Sequence, residues 1–96
     1  MVNDKILHLV LKHHWYDSIE EGSKTHEYRE YKDYWIKRLY PLEQWGTIKF
    51  QRGYSKNPPK MLFKVKSIKL LDSGIATDLH SSNKVFDIEL GKRINE

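Results

Sequence analysis

Hydrophobic side chains recur along this chain at two different spacings, and the points where one spacing gives way to the other mark its elements. "KILHLVLK" (Lys5 to Lys12) is dense in β-branched and aliphatic residues over a strand's length and predicts a buried strand. "HHWYDSIEEG" (His13 to Gly22) then shifts to helical spacing. Trp15 and Ile19 are four apart and share a face, Glu20 and Glu21 point to solvent, and Gly22 ends the helix. "YKDYWIKRL" (Tyr31 to Leu39) repeats the pattern with Tyr31, Trp35 and Leu39, and Pro41 blocks its continuation.

The remainder has period two. "GTIKFQRG" (Gly46 to Gly53) alternates Ile48 and Phe50 with polar neighbours. "MLFKVKSIKLL" (Met61 to Leu71) alternates Met61, Phe63 and Val65 before a shift brings in Ile68 and Leu70. "VFDIELG" (Val85 to Gly91) sets Phe86, Ile88 and Leu90 against Asp87 and Glu89, a half-buried closing strand. Between these strands, "GYSKNPP" is a loop, because its two prolines remove ladder donors and Gly53 permits a turn. Asp72 to Asn83 is a second loop with room for one short helical turn. The predicted order is β-α-β-α-β-β-β, an α+β fold in a single domain over residues 1–96. Ile48, Phe50, Met61, Phe63, Phe86 and Ile88 are expected to share one core with Trp15 and Ile19.

Periodicity does not settle "KTHEYRE" (Lys24 to Glu30). As a helix running on from His26 it would align Tyr28, Tyr31, Trp35 and Leu39 in one apolar stripe. As a strand it would set Thr25, Glu27 and Arg29 on one face and His26, Tyr28 and Glu30 on the other. Neither of those faces is apolar, so a strand here has to line something polar.

Composition narrows the function classes. The 96 residues carry a net charge of +4 and no cysteine. That balance favours anionic partners such as nucleic acid. A disulfide framework and thiolate zinc sites are excluded, and the five histidines show no paired-ligand spacing, so no metal is expected. There is no apolar leader and no bilayer-spanning run, which leads us to expect a cytoplasmic protein. No glycine-rich phosphate loop or nucleophile elbow is present, and no cofactor is expected. Arg52, Tyr54 and Lys56 surround a glycine in a loop, a common setting for binding residues, with a plain hairpin loop as the alternative.

"LHLVLKHHWYDSIEEGSKTHEYRE" with the later "FQRGY" resembles the ASCH domain, a family of the PUA-like superfamily. "EYRE", "YW", "RL" and the final "FDIELG" make it similar to small phage and bacterial ASCH proteins in particular. The resemblance covers nearly the whole chain. It implies a small bent β-barrel of about five strands with two main helices packed against it, "KTHEYRE" as its second strand, and a cleft beside a Lys-x-x-Glu-x-Arg motif. Lys24, Thr25, Glu27 and Arg29 are then candidate site residues, since an ammonium, a carboxylate and a guanidinium together can hold a phosphate or read the edge of a base. The alternative is an ordinary exposed ion pair, worth ~0 to 1 kcal/mol. Tyr34 is a candidate stacking ring, with Trp35 more at home in the core. Arg38, four residues after Tyr34, extends a basic rim or belongs to a solvated helix face.

Two classes of function follow from the resemblance. PUA-like domains mainly recognise RNA or modified bases, so an RNA-binding or nucleoside-binding module comes first. The alternative is an enzyme. Some small ASCH proteins are amidohydrolases that deacetylate acetylated cytidine with a Lys, a Thr and a Glu, and ribonuclease activity is also attributed to the family. Lys24 matches that lysine, but Glu27 stands where the threonine would be, and no later glutamate aligns with theirs. An ammonium beside a carboxylate is also a poor base. If the protein is an enzyme, Lys24 and Glu27 are its catalytic candidates. A weaker alternative is a phage-encoded protein-interaction factor, for which no signature is visible.

Overall fold

The computed structural model describes residues 5–94. Its elements are β1 (Lys5–Leu11), α1 (His13–Glu20), β2 (His26–Glu30), α2 (Asp33–Leu39), β3 (Trp45–Arg52), β4 (Lys60–Leu71) and β5 (Val85–Ile94), with a 3-10 turn at Leu42–Gln44. This is the expected order. The segment left open by pattern is a strand.

All five strands form one sheet in the order β1-β3-β4-β5-β2. β1 runs parallel to β3, which is possible because α1, β2 and α2 supply the long return that a parallel pair needs. The other pairings are antiparallel. β4 shifts register against β5 between Phe63 and Val65 and again between Val65 and Ser67. Such irregularities bend a strand and raise its twist. The sheet curls into a half-barrel with two helices packed on it, and residues of both edge strands, β1 and β2, border one cleft.

The core fills the concave side. Ile48 and Phe50 of β3, Met61 and Phe63 of β4, and Phe86, Ile88 and Leu90 of β5 meet Leu7, Leu9 and Leu11 of β1, Ile19 of α1 and Leu39 of α2. The six strand side chains and Ile19 sit in the core as expected. Trp15 does not: it is only half-buried at the core's margin, and Tyr16 is the neighbour that goes inside. Ile19 stays inside, so the buried pair is Tyr16 and Ile19, three apart, in place of Trp15 and Ile19, and the indole borders a polar cleft where the Lys24 ammonium lies 4.8 Å from its centroid.

Three other expectations change. β1 is half-buried, with Leu7, Leu9 and Leu11 inside while Ile6 and His8 are exposed, because successive side chains of a strand point to opposite faces and the core covers one of them. α2 begins at Asp33, so Tyr31 lies outside it; its N–H donates to Lys84 O (2.9 Å) and its ring packs 5.3 Å from that of Phe86. The 72–83 loop holds turns where a helical turn was expected. Thr77 N–H donates to Gly74 O and His80 N–H to Thr77 O (both 3.1 Å), and a Gly74–Ser81 bridge closes the loop's base. Thr77 is buried and its hydroxyl donates to Gly74 O at 2.7 Å, an internal bond that competes with helix formation.

Two carboxylates tie this frame together. Asp17 of α1 accepts Nε and Nη2 of Arg52 at 2.8 and 3.0 Å, a fork that pins the helix to the end of β3. Glu30 accepts from Lys32, Ser81 and Asn83, which holds the 72–83 loop to β2. The Arg52 hydrogen bonds hold the Asp17 carboxyl below its ordinary 3.8, and the bonds from Lys32, Ser81 and Asn83 hold Glu30 below 4.5. Both folded values are depressed, so both contributions are complete above the unfolded values and are lost as pH falls through the folded ones. Thermal melts should therefore show this component flat above about pH 5 and declining in more acid buffer. Asp17→Asn should flatten its share of the decline, and an identical acid profile in the variant would show that the fork contributes nothing.

Candidate functional site

The chain reversal after α1 places the central residue. Glu21 N–H donates to Asp17 O and Gly22 N–H to Ile19 O, and Gly22 takes φ +90, where only glycine is comfortable. Lys24 N–H then donates back to Ser18 O at 3.1 Å. This fold-back lays the Lys24 side chain between α1 and β2, with only a tenth of it exposed.

Its ammonium is held on four sides. Glu27 Oε1 lies 3.3 Å away, Asp78 accepts a hydrogen bond from it, and the Trp15 and Tyr28 ring centroids are 4.8 and 5.2 Å distant. Glu27 is buried although it is charged. Its second oxygen accepts from Arg29 Nη1, which also donates to Tyr28 O at 2.8 Å. One carboxylate thus joins Lys24 to Arg29. A buried carboxylate needs this double pairing, because desolvating it alone would cost several kcal/mol, on the order of 5.

The cluster borders two clefts. The first, about 460 Å³, is lined by Trp15, Lys24, Thr25, His26, Tyr28 and Asp78 among others. The His26 ring stacks on Tyr28 at 6.0 Å and 7°, and its Nδ1 is 2.6 Å from Asp87 Oδ1, which leaves Nε2 for another partner. Burial, then the Asp87, Asp78 and Glu27 carboxylates, push the Tyr28 phenol above its ordinary 10.0, so it remains a neutral donor. The second cleft, about 260 Å³, is lined by His8, Arg29, Tyr34, Trp35, Arg38 and Tyr54 among others.

The eight residues singled out in the sequence therefore separate. Lys24 and Thr25 face the first cleft. Arg29, Tyr34, Arg38 and Tyr54 face the second. Glu27 lies buried between them. Arg52 is turned away onto Asp17. Trp35 is half-buried against the core and also forms cleft wall, its ring 5.1 Å from the Arg29 guanidinium.

Sequence reasoning missed Asp78, Asp87, and the cleft roles of Trp15, Tyr28 and His8. Asp87 was readable once β2 is paired with β5, because the register sets it opposite Tyr28 and diagonal to His26. Asp78 had no local signal. It stands on a loop 54 residues from Lys24, and only the Gly74–Ser81 closure and the Glu30 anchor bring it there.

Among the described residues there is no group of three or more His, Asp or Glu side chains fit to hold a metal, and no helix long and apolar enough to cross a membrane. The chain matches no protein-family model, no curated protein and no solved structure.

Proposed function

We propose that this chain is an ASCH-type, PUA-like domain that binds RNA or a nucleoside by holding a base in the Lys24 cleft. One observation carries the reading: a single ammonium is fixed between two carboxylates and over two aromatic rings in an open cleft. Lys24 and Arg29 balance Glu27 and Asp78 in formal charge. A balanced cluster offers little to a bare phosphate, but it presents a donor, Lys24, beside an acceptor, Asp78. That pairing suits the donor-acceptor edge of a nucleobase, and the Trp15 and His26 rings line the same cleft beside it. The β-α-β-α-β-β-β order and the curled sheet with two helices support the PUA-like assignment.

The test is thermal stabilisation by a panel of nucleosides and short RNAs. A ligand at one hundred times its Kd adds ~2.7 kcal/mol, and Lys24→Ala should weaken that ligand by ~1.5 to 3 kcal/mol. A panel without effect, or a ligand that binds the variant equally well, would refute the reading.

A second reading has one observation in its favour. The sequence offered no late acid to complete the amidohydrolase set, but the fold brings Asp78 to Lys24. Hydrolysis of acetylated cytidine by the wild type, abolished by Lys24→Ala in a protein that still melts cooperatively, would make the protein an enzyme. We expect no turnover, because Glu27 stands where that chemistry uses a threonine and the Lys24 ammonium is already engaged by Glu27 and Asp78.

A further inference from the structure

We propose that the second cleft is a phosphate subsite, so that the ligand is a nucleotide or a nucleic-acid strand and not a free nucleoside. This rests on the reading of the Lys24 cleft as the base site. The two clefts differ in charge. The first cleft is lined by the Asp78 carboxylate beside Lys24, whereas the residues lining the second include Arg38, His8 and Arg29, the last paired with Glu27, and no acid. Among the described residues Arg38 makes no salt bridge, in contrast to Arg52, whose fork is filled by Asp17.

Both guanidiniums sit beside aromatic rings. Arg29 lies over the Trp35 ring at 5.1 Å and Arg38 over Tyr34 at 5.9 Å. A guanidinium held by a ring's face still has its in-plane N–H groups to offer, the fork that bidentate phosphate recognition uses. Arg29 is fixed further by giving Nη1 to Glu27 and to Tyr28 O, and its side chain lines the cleft. Tyr34 and Tyr54 rim this cleft and are 62% and 85% exposed, rings on which a neighbouring base can stack.

Spacing links the two clefts. Opposite oxygens of the Glu27 carboxylate take Lys24 and Arg29. The two cations are therefore bridged by one carboxylate, which sets the two clefts side by side. Glu27 is the partition between subsites, and this explains why a site residue is itself buried and lines neither.

The experiment compares dissociation constants, read by tryptophan fluorescence, for the four ribonucleosides, their 3′- and 5′-monophosphates, and an abasic sugar-phosphate strand. The best monophosphate should bind roughly ten- to hundred-fold tighter than its nucleoside, the worth of one charge-assisted hydrogen bond. That advantage should shrink as salt is raised. In Arg38→Gln, whose exposed site carries no core packing, the ratio should collapse to about one. Equal affinity of nucleoside and nucleotide in the wild type, or a ratio unchanged in the variant, would overturn the subsite. If nucleosides fail to bind while the abasic strand binds and loses affinity in Arg38→Gln, the base reading falls and the phosphate subsite stands. If neither nucleoside nor strand binds, both fall.

Discussion

Glu27→Ala should lower the unfolding free energy by about 3 to 5 kcal/mol, the largest effect of any charged residue in the described chain. The variant leaves Arg29, whose side chain is 17% exposed, with only Tyr28 O for its Nη1, and leaves Lys24 with Asp78 as its one remaining carboxylate. Breaking a buried pair costs far more than the pair is worth against an apolar replacement, because the stranded charge remains out of water. Exposed pairs provide the scale. Lys32–Glu30 and Lys66–Glu89 have lysines about two-thirds exposed, and truncating either lysine to alanine should change stability by less than ~1 kcal/mol. Chemical denaturation of Glu27→Ala, Arg29→Met and the double variant Glu27→Leu/Arg29→Met tests the mechanism. The double variant should recover much of the loss, since it buries no unpaired charge. A single variant within 1 kcal/mol of wild type would mean that water already reaches the carboxylate.

Phe86→Ala should cost a comparable ~3 to 5 kcal/mol, by a different route. The ring is wholly buried in β5, the strand that pairs with both β4 and β2, and it packs 5.3 Å from Tyr31 and 5.8 Å from Tyr40. Removing it loses the transfer free energy of the ring, opens a cavity and strips those two tyrosines of their partner. Phe86 is also in register with Arg29, so the loosened pairing reaches the strand that separates the two clefts. Domains of this size hold ~5 to 15 kcal/mol in all, and such a variant would stand near its threshold at 37 °C. Leu70, the opposite cross-strand partner of Phe86 but 38% exposed, is the control and should lose under ~1.5 kcal/mol on truncation to alanine. Equal losses at the two positions would contradict the single concave core.

What the sequence determined by itself was the succession of elements apart from β2, whose segment pattern left open, and most of the side chains that meet in the core. Both follow from period, which is a local property: alternation at Ile48 and Phe50 or at Phe86 and Ile88 decides a buried face wherever the strand ends up. Gly22 and Pro41 added punctuation for the same reason, since backbone freedom and a missing N–H act within a few residues. Local pattern could not decide which way α1 turns, and so Trp15 was expected in the core while Tyr16 occupies it; both rings are large and apolar enough, and the choice depends on where the Lys24 ammonium needs a wall. The partners of the site were decided by tertiary structure alone. Lys24, Glu27 and Arg29 could be read as three charges in a row, but whether they face one cleft or two, and whether Asp78 joins them, depends on the curl of the sheet and on a loop closed far along the chain. Electrostatic pairing acts through space at a few ångströms and leaves no spacing in the sequence, whereas hydrophobic burial repeats with the backbone and does.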